Sequence, residues 1–172
     1  MKRLIAIPLM LLALLGHSQD NGLRIPEQEH WTLGVYADYA DDKQGGYGID
    51  YVIESGYSGF VEAKLGIESF EKLYGGYFDV HGAIGFKLVH GYDEQWQYYF
   101  GGRMAVVWRG GEGAYRAVPG IEAQWKWYIG DGKIAIGVRW TFDHRYDMEI
   151  FNWPVVNVHS GFITVTYKIK SL

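Results

Sequence analysis

The sequence predicts an all-β protein, an eight-stranded antiparallel up-and-down barrel that crosses a membrane. Apolar and polar residues alternate along most of the chain, and glycine-rich turns separate the alternating segments. Apolar residues make up 48% of the composition, yet they form no long run after the first residues. Side chains alternate between the two faces of a strand, so this pattern describes sheets with one apolar face. Abundant but non-contiguous apolar residues are typical of membrane barrels.

The first residues predict a secretory signal peptide. A short basic start precedes an apolar run from Leu4 to Leu15, and a small-x-small site ends at Ser18. These are the parts of a cleavable leader, and a run of about 12 residues is too short to span a bilayer as a helix. We expect residues 1–18 to be the signal peptide, residues 19–30 an extended N-terminal lead, and residues 31–172 an outer-membrane β-barrel.

The charge balance and the cysteine count narrow the function classes. The chain carries a formal net charge of −4, which argues against nucleic acid as a partner. It has no cysteine, so neither a disulfide framework nor a thiolate metal site is available. The acidic residues near Asp143 match no established cation-binding loop. We expect no metal and no cofactor.

Eight strands are predicted, each bounded by residues typical of turns. Gly130-Asp131-Gly132 is a tight hairpin signal, because Asp-Gly tolerates positive φ. Pro119 falls inside the sixth strand, where it must forfeit a ladder hydrogen bond or mark a bulge. The predicted strands are Trp31–Ala40, Gly46–Glu54, Gly59–Ser69, Gly76–Leu88, Gln95–Arg109, Tyr115–Ile129, Lys133–Asp143 and His159–Lys170.

The two faces differ completely in charge, since no Asp, Glu, Lys or Arg falls in the apolar set. A soluble lipocalin-like periplasmic barrel would turn the apolar set inward, and a membrane barrel would turn it outward. Most strand glycines lie in the polar set, where they relieve crowding inside a narrow barrel. The apolar set is too bulky for an eight-strand interior, and its Trp and Tyr residues recur near strand ends, as at bilayer interfaces. We predict that the apolar face contacts lipid.

From Trp31 to Leu172 the chain resembles the small eight-stranded outer-membrane barrels of Gram-negative bacteria, the family of the membrane domain of outer-membrane protein A and of outer-membrane protein X. The resemblance is one of pattern rather than of a diagnostic motif. The region ending Ser18-Gln19 resembles exported proteins of the Bacteroidota. The resemblance implies insertion by the barrel-assembly machinery and contact with outer-membrane lipids and lipopolysaccharide. It leaves the oligomeric state open.

The polar set predicts a lumen plugged by compensating ion pairs, because buried charges must be paired. Acidic and basic residues are nearly balanced in it, and eight strands leave little room beyond side chains. A porin is therefore disfavoured. The predicted lumen network consists of Glu62, Lys64, Asp79, Arg103, Glu122, Lys126 and Arg139.

Two further features bear on function. The longest connection, Asp143–Val158, is rich in apolar residues and predicts an external contact loop, with Tyr146, Phe151 and Trp153 as its contact residues. His159-Ser160 is the only adjacent pair that a hydrolase could use, and neighbouring strand residues point to opposite faces. The sequence thus favours a non-enzymatic outer-membrane barrel that serves envelope structure or surface contact. A lipopolysaccharide-modifying enzyme remains the alternative, and a soluble binding barrel the third hypothesis.

Overall fold

The computed structural model describes residues 23–24, 30–41, 46–57, 60–71, 76–90, 95–109, 115–146 and 156–171. Nearly all of these residues lie in strands. In chain order the strands are β1 Leu23–Arg24, β2 His30–Asp41, β3 Gly46–Tyr57, β4 Val61–Glu71, β5 Tyr77–His90, β6 Trp96–Trp108, β7 Tyr115–Ile129, β8 Ile134–Arg145 and β9 Val156–Ser171. Within these ranges, no helix has the length and apolar character needed to cross a membrane.

Strands β2 to β9 form a closed antiparallel barrel. Each strand pairs with its neighbour in sequence, β2 also pairs with β9, and together these pairings complete the ring. The predicted eight-stranded up-and-down barrel is confirmed. The short strand β1 lies outside the ring, where Leu23 and Arg24 pair with His90 and Val89 at the end of β5.

The strand ends differ from the predicted ones where pairing extends beyond the turn signals. Strand β3 continues to Tyr57, because Ser55, Gly56 and Tyr57 pair with β4. Strands β8 and β9 also extend toward each other as far as the pair Arg145↔Val156, so the connection between them is shorter than the predicted Asp143–Val158. These extensions add side chains to the lumen.

Two local predictions have a clear structural outcome. Gly130 and Gly132 adopt φ values of 62° and 75° in the β7–β8 turn, as the hairpin signal predicts. The Lys133 N–H donates to Asp131 Oδ1 at 3.2 Å, and this hydrogen bond lowers the pKa of the exposed Asp131 carboxyl. Pro119 pairs with Met104 of β6, whereas the ladder to β8 begins one residue later at Gly120. The proline thus lies where the ladder to β8 is absent.

The two faces of the wall have opposite character. Val138 and Ile163, cross-strand neighbours on the outer face, are 52% and 71% exposed. Arg139 and Glu122 face inward and are 2% and 0% exposed. The charged set is therefore the lumen and the apolar set is the outer surface, which is the sidedness of a membrane barrel. A lipocalin-like barrel has the reverse arrangement, so the soluble-barrel hypothesis is wrong.

An apolar cluster fills the end of the lumen that carries the connections after β2, β4, β6 and β8; we call this the loop end. Phe70 and Tyr77 stack at a centroid distance of 5.1 Å on either side of one such connection. The cluster contains Phe70, Tyr77, Ala105, Val107, Val118 and Val158. A second, smaller group of Tyr36, Val52 and Phe162 lies deeper in the barrel. The charged network described next lies among these apolar groups.

Candidate functional site in the barrel lumen

All seven residues of the predicted lumen network are buried inside the barrel. None is more than 5% exposed. Several contact one another directly: Lys64 Nζ lies 2.7 Å from Glu122 Oε1, and Arg103 Nη2 lies 3.5 Å from Asp79 Oδ2. The residues predicted to share the lumen are Glu62, Lys64, Asp79, Arg103, Glu122, Lys126 and Arg139, and each takes part in an ion pair with a buried partner.

The buried charged residues of the lumen form two groups, which we call the lysine half and the acid half. The lysine half consists of Glu54, Glu62, Lys64, Lys87 and Lys126. The acid half consists of Asp50, Glu68, Asp79, Arg103, Glu122, Arg139 and Asp143, together with His81. All of these side chains belong to the buried set. Lys64 joins the two halves, because it contacts Glu62 at 3.8 Å and Glu122 at 2.7 Å.

The lysine half is held by hydrogen bonds as well as ion pairs. Glu54 accepts hydrogen bonds from Lys126 and Tyr36, and from Thr32 Oγ1 at 2.5 Å. Glu62 accepts from Gln97 Nε2 at 2.6 Å and lies 3.7 Å from Lys87 Nζ. Charge-assisted hydrogen bonds of this kind satisfy buried carboxylates without water. Both glutamates of the lysine half therefore have a lysine partner.

Two arginines organise the acid half. Arg103 lies 3.4 Å from Glu68 and 3.4 Å from Asp143, in addition to its contact with Asp79. Arg139 donates a hydrogen bond to Asp50 and lies 4.0 Å from Glu122. Five carboxylates thus contact two guanidinium groups, and Lys64 supplies one further contact at Glu122.

Aromatic rings pack against the guanidinium groups of the buried arginines. The Arg139 guanidinium lies 3.7 Å from the centroid of the Phe162 ring and 4.6 Å from that of Tyr36. Arg145 and Arg109 lie 4.2 Å and 5.3 Å from the centroid of Tyr77, in the apolar cluster at the loop end. Cation–π contacts between buried groups are worth about 2 kcal/mol or more. These rings therefore hold the arginine side chains in place.

The predicted network omitted important members. Glu54 is the central acceptor of the lysine half, but it was the last residue of a predicted strand and was assigned to neither face. Arg145 is fully buried, although it fell in the predicted contact loop. The alternation that placed Arg139 inside also places Arg145 inside once the predicted strand is continued past Asp143. His81 was not in the predicted network, yet it lies 2.9 Å from Asp79 and 3.3 Å from Asp50.

The predicted contact loop is described only in part. Tyr146 is 42% exposed and packs edge-on against His144, with ring centroids 4.4 Å apart. Phe151 and Trp153 lie outside the described residues. His159 lies on the outer face, stacked on Trp140 at 5.6 Å, whereas Ser160 is buried in the lumen. The two side chains of this adjacent pair therefore point away from each other.

Comparison with known proteins identifies the fold. No family model matches the chain, and neither does any curated protein. A de novo designed transmembrane β-barrel superposes with a TM-score of 0.59 at 10% identity, over 85% of this chain and 98% of that one. Neisserial surface protein A superposes with a TM-score of 0.52 at 11% identity, over 87% and 99%. The outer-membrane enzyme PagL superposes with a TM-score of 0.53 at 12% identity, over 80% and 99%.

The chain has the fold of the small transmembrane β-barrels. The predicted resemblance to eight-stranded outer-membrane barrels is thus confirmed for the fold. At these identities the similarity extends to the fold alone. The resemblance to exported Bacteroidota proteins and the leader at residues 1–18 remain predictions.

Proposed function

We propose that this chain is a non-enzymatic integral protein of a Gram-negative outer membrane, exported with its leader and inserted by the barrel-assembly machinery. One observation carries the proposal: the outer wall is apolar around the ring, while the charged side chains lie inside. Such a surface is stable only against lipid, because an exposed apolar area of this extent would aggregate in water. The similarity to outer-membrane barrels agrees with this location.

We propose in addition that the lumen is plugged. Arg139, Glu122 and Lys87 have side chains that are 0% exposed, and each contacts an oppositely charged group. Eight strands enclose a space that side chains can fill. The apolar cluster at the loop end adds a second layer across the same passage. A barrel filled in this way supports function at its surface rather than transport through its centre.

The outward connections are then the functional part of the molecule, serving envelope structure or contact with a partner or with lipopolysaccharide. A rigid barrel that displays connections between its strands is a common arrangement for binding surfaces. Tyr146 supports this role, since it lies exposed at the start of the longest connection. We propose Phe151 and Trp153 as further contact residues on sequence grounds.

The plug is tested electrically. Purified protein added to a planar lipid bilayer should give no stable, large single-channel steps. The double variant Lys64→Ala, Phe162→Ala lacks the lysine that joins the two halves and the ring that contacts Arg139. If it folds, it should pass more ionic current across the bilayer than the parent. Reproducible nanosiemens-scale steps from the unmodified monomer would show that the charges line water.

The lipopolysaccharide-modifying alternative is disfavoured by geometry. A hydrolase needs a serine and a histidine within hydrogen-bond reach. His159 faces outward and Ser160 inward, so they do not form such a pair. Lipid A from cells with and without the protein should therefore have the same mass spectrum. A loss or gain of one acyl chain that depends on the protein would establish enzymatic activity.

A further inference from the structure

Three side chains of the acid half converge on one point in the lumen. Asp50, Glu68 and His81 each offer one ligand atom, and these atoms all lie within 4.8 Å of one another. All three residues are buried, with at most 1% exposed. They come from three consecutive strands, β3, β4 and β5, which are adjacent in the barrel wall.

Two of the facing atoms, one on Asp50 and one on His81, make no hydrogen bond. Asp50 Oδ1 and His81 Nε2 are both buried and make no hydrogen bond. The opposite atom of each side chain is held: Arg139 donates to Asp50 Oδ2, and His81 Nδ1 lies 2.9 Å from Asp79 Oδ1. His81 Nε2 also lies 3.3 Å from Asp50 Oδ2, so imidazole and carboxylate face each other. Leaving two such atoms unsatisfied inside a protein is costly.

Gly66 provides the space in which these atoms meet. It lies opposite His81 in the β4–β5 ladder and opposite Val52 in the β3–β4 ladder. A Cβ at this position would lie 2.4 Å from His81 Nε2 and 3.0 Å from Asp50 Oδ1. Any residue larger than glycine would therefore occupy the point toward which the two ligand atoms are directed.

Two carboxylates adjoin the point at which the three ligand atoms meet. The carboxylates of the acid half lie beside the guanidinium groups of Arg103 and Arg139, and Lys64 reaches into this half at Glu122. A cation at the meeting point would lie against the carboxylates of Asp50 and Glu68, and burial makes that attraction stronger than it would be in water.

We propose that Asp50, Glu68 and His81 bind a divalent transition-metal ion, with Zn²⁺ as the representative, inside the lumen. One imidazole nitrogen and two carboxylate oxygens form a donor set suited to Zn²⁺. Asp79 acts as a positioning residue, because a carboxylate on the second ring nitrogen orients a metal-binding histidine. The ion stabilises the plug and joins three strands of the wall.

The competing arrangement contains no metal. In it His81 Nδ1 contacts Asp79 and His81 Nε2 faces Asp50, with no ion between the side chains. The two arrangements differ in one measurable respect. Only the metal-bound form retains a metal ion after the folded barrel is washed with a chelator.

The experiment measures zinc retained by the barrel without a histidine tag. The protein is folded from urea into detergent micelles with Zn²⁺ present, because a closed lumen admits the ion before folding is complete. Surface metal is removed with EDTA, and zinc is measured by mass spectrometry. We expect about one zinc per chain in the parent, consistent with one three-ligand site. A parent that retains none overturns the proposal and favours the arrangement without a metal.

Variants locate the ion. His81→Gln should lower retained zinc at least tenfold, whereas His159→Gln, the same change at an exposed histidine, should leave it unchanged. Asp79→Asn should weaken zinc affinity about 10–100-fold. Folding of each variant is checked by its heat-dependent gel mobility. If His81→Gln does not fold, Gly66→Ala decides, because it keeps every ligand and fills the space between them. Zinc retained by either folded variant at the parent level overturns the site.

A measurement on the parent alone completes the test. X-ray absorption at the zinc edge should show a single imidazole among oxygen ligands. A spectrum with two or more imidazoles would place the ion elsewhere and overturn the assignment, whatever the variants do.

Discussion

Replacement of Arg139 by methionine tests whether the lumen is dry. The guanidinium is fully buried and contacts Asp50 and Glu122, with Phe162 and Tyr36 against its faces. Methionine keeps part of the apolar stem but removes the charge. Glu122 retains Lys64 at 2.7 Å, so the main consequence falls on Asp50, whose neighbour His81 lies 3.3 Å away.

The expected loss follows from that geometry. Removing one partner of a buried ion pair costs about 3–5 kcal/mol, because an uncompensated charge remains in a medium of low dielectric constant. Replacing both partners, as in Arg139→Met with Asp50→Asn, removes that charge as well. The double variant should therefore lose less stability than the sum of the two single variants, with a coupling of about 0.5–3 kcal/mol.

The assay is equilibrium unfolding in urea in detergent micelles or lipid vesicles, followed by tryptophan fluorescence. Lys133→Ala is the matched control, since Lys133 and Asp131 form an ion pair of 3.4 Å whose side chains are 62% and 65% exposed. Solvent screens such a pair, so this variant should unfold with the parent. If Arg139→Met also unfolds with the parent, water reaches the network and a dry plug is excluded.

Two further predictions concern the outer wall and the orientation. Val138→Arg places a charge on the lipid face and should lower the free energy of unfolding by about 2–4 kcal/mol near the bilayer centre, whereas Ala135→Ser on the lumen face should change it little. Urea unfolding in vesicles measures both variants. A Val138→Arg protein as stable as the parent would contradict lipid contact at this position. Because the strand number is even, both chain termini lie on one side of the membrane, which we expect to be the periplasm. An epitope tag at Asn152 should therefore be accessible on intact cells, and one at Asp131 should not. The reverse pattern would contradict a periplasmic location of the termini.

Most of the fold could be predicted from the sequence, because side chains alternate between the two faces of a strand and the face in contact with lipid must be apolar. Val138 and Arg139 are adjacent in the chain and lie on opposite sides of the wall, as the alternation of a strand requires. The Asp131-Gly132 turn is equally local, since it depends on residues that accept positive φ. The strand ends were predicted less accurately. Strand β3 passes Glu54 and β8 passes Asp143 because neighbouring strands offer hydrogen-bond partners there.

Alternation in the sequence divided the strand residues into two faces, and the glycines, the bulk of the apolar set and the aromatic residues near strand ends assigned the charged face to the interior. Only the tertiary structure decided which charges meet. Lys126 reaches Glu54 and Arg139 reaches Asp50 across 72 and 89 positions of the chain. Such pairings depend on the register of every intervening strand pair and on closure of the ring, and no local pattern contains that information. The meeting of Asp50, Glu68 and His81 arises in the same way, because three ladders must align before the space above Gly66 exists.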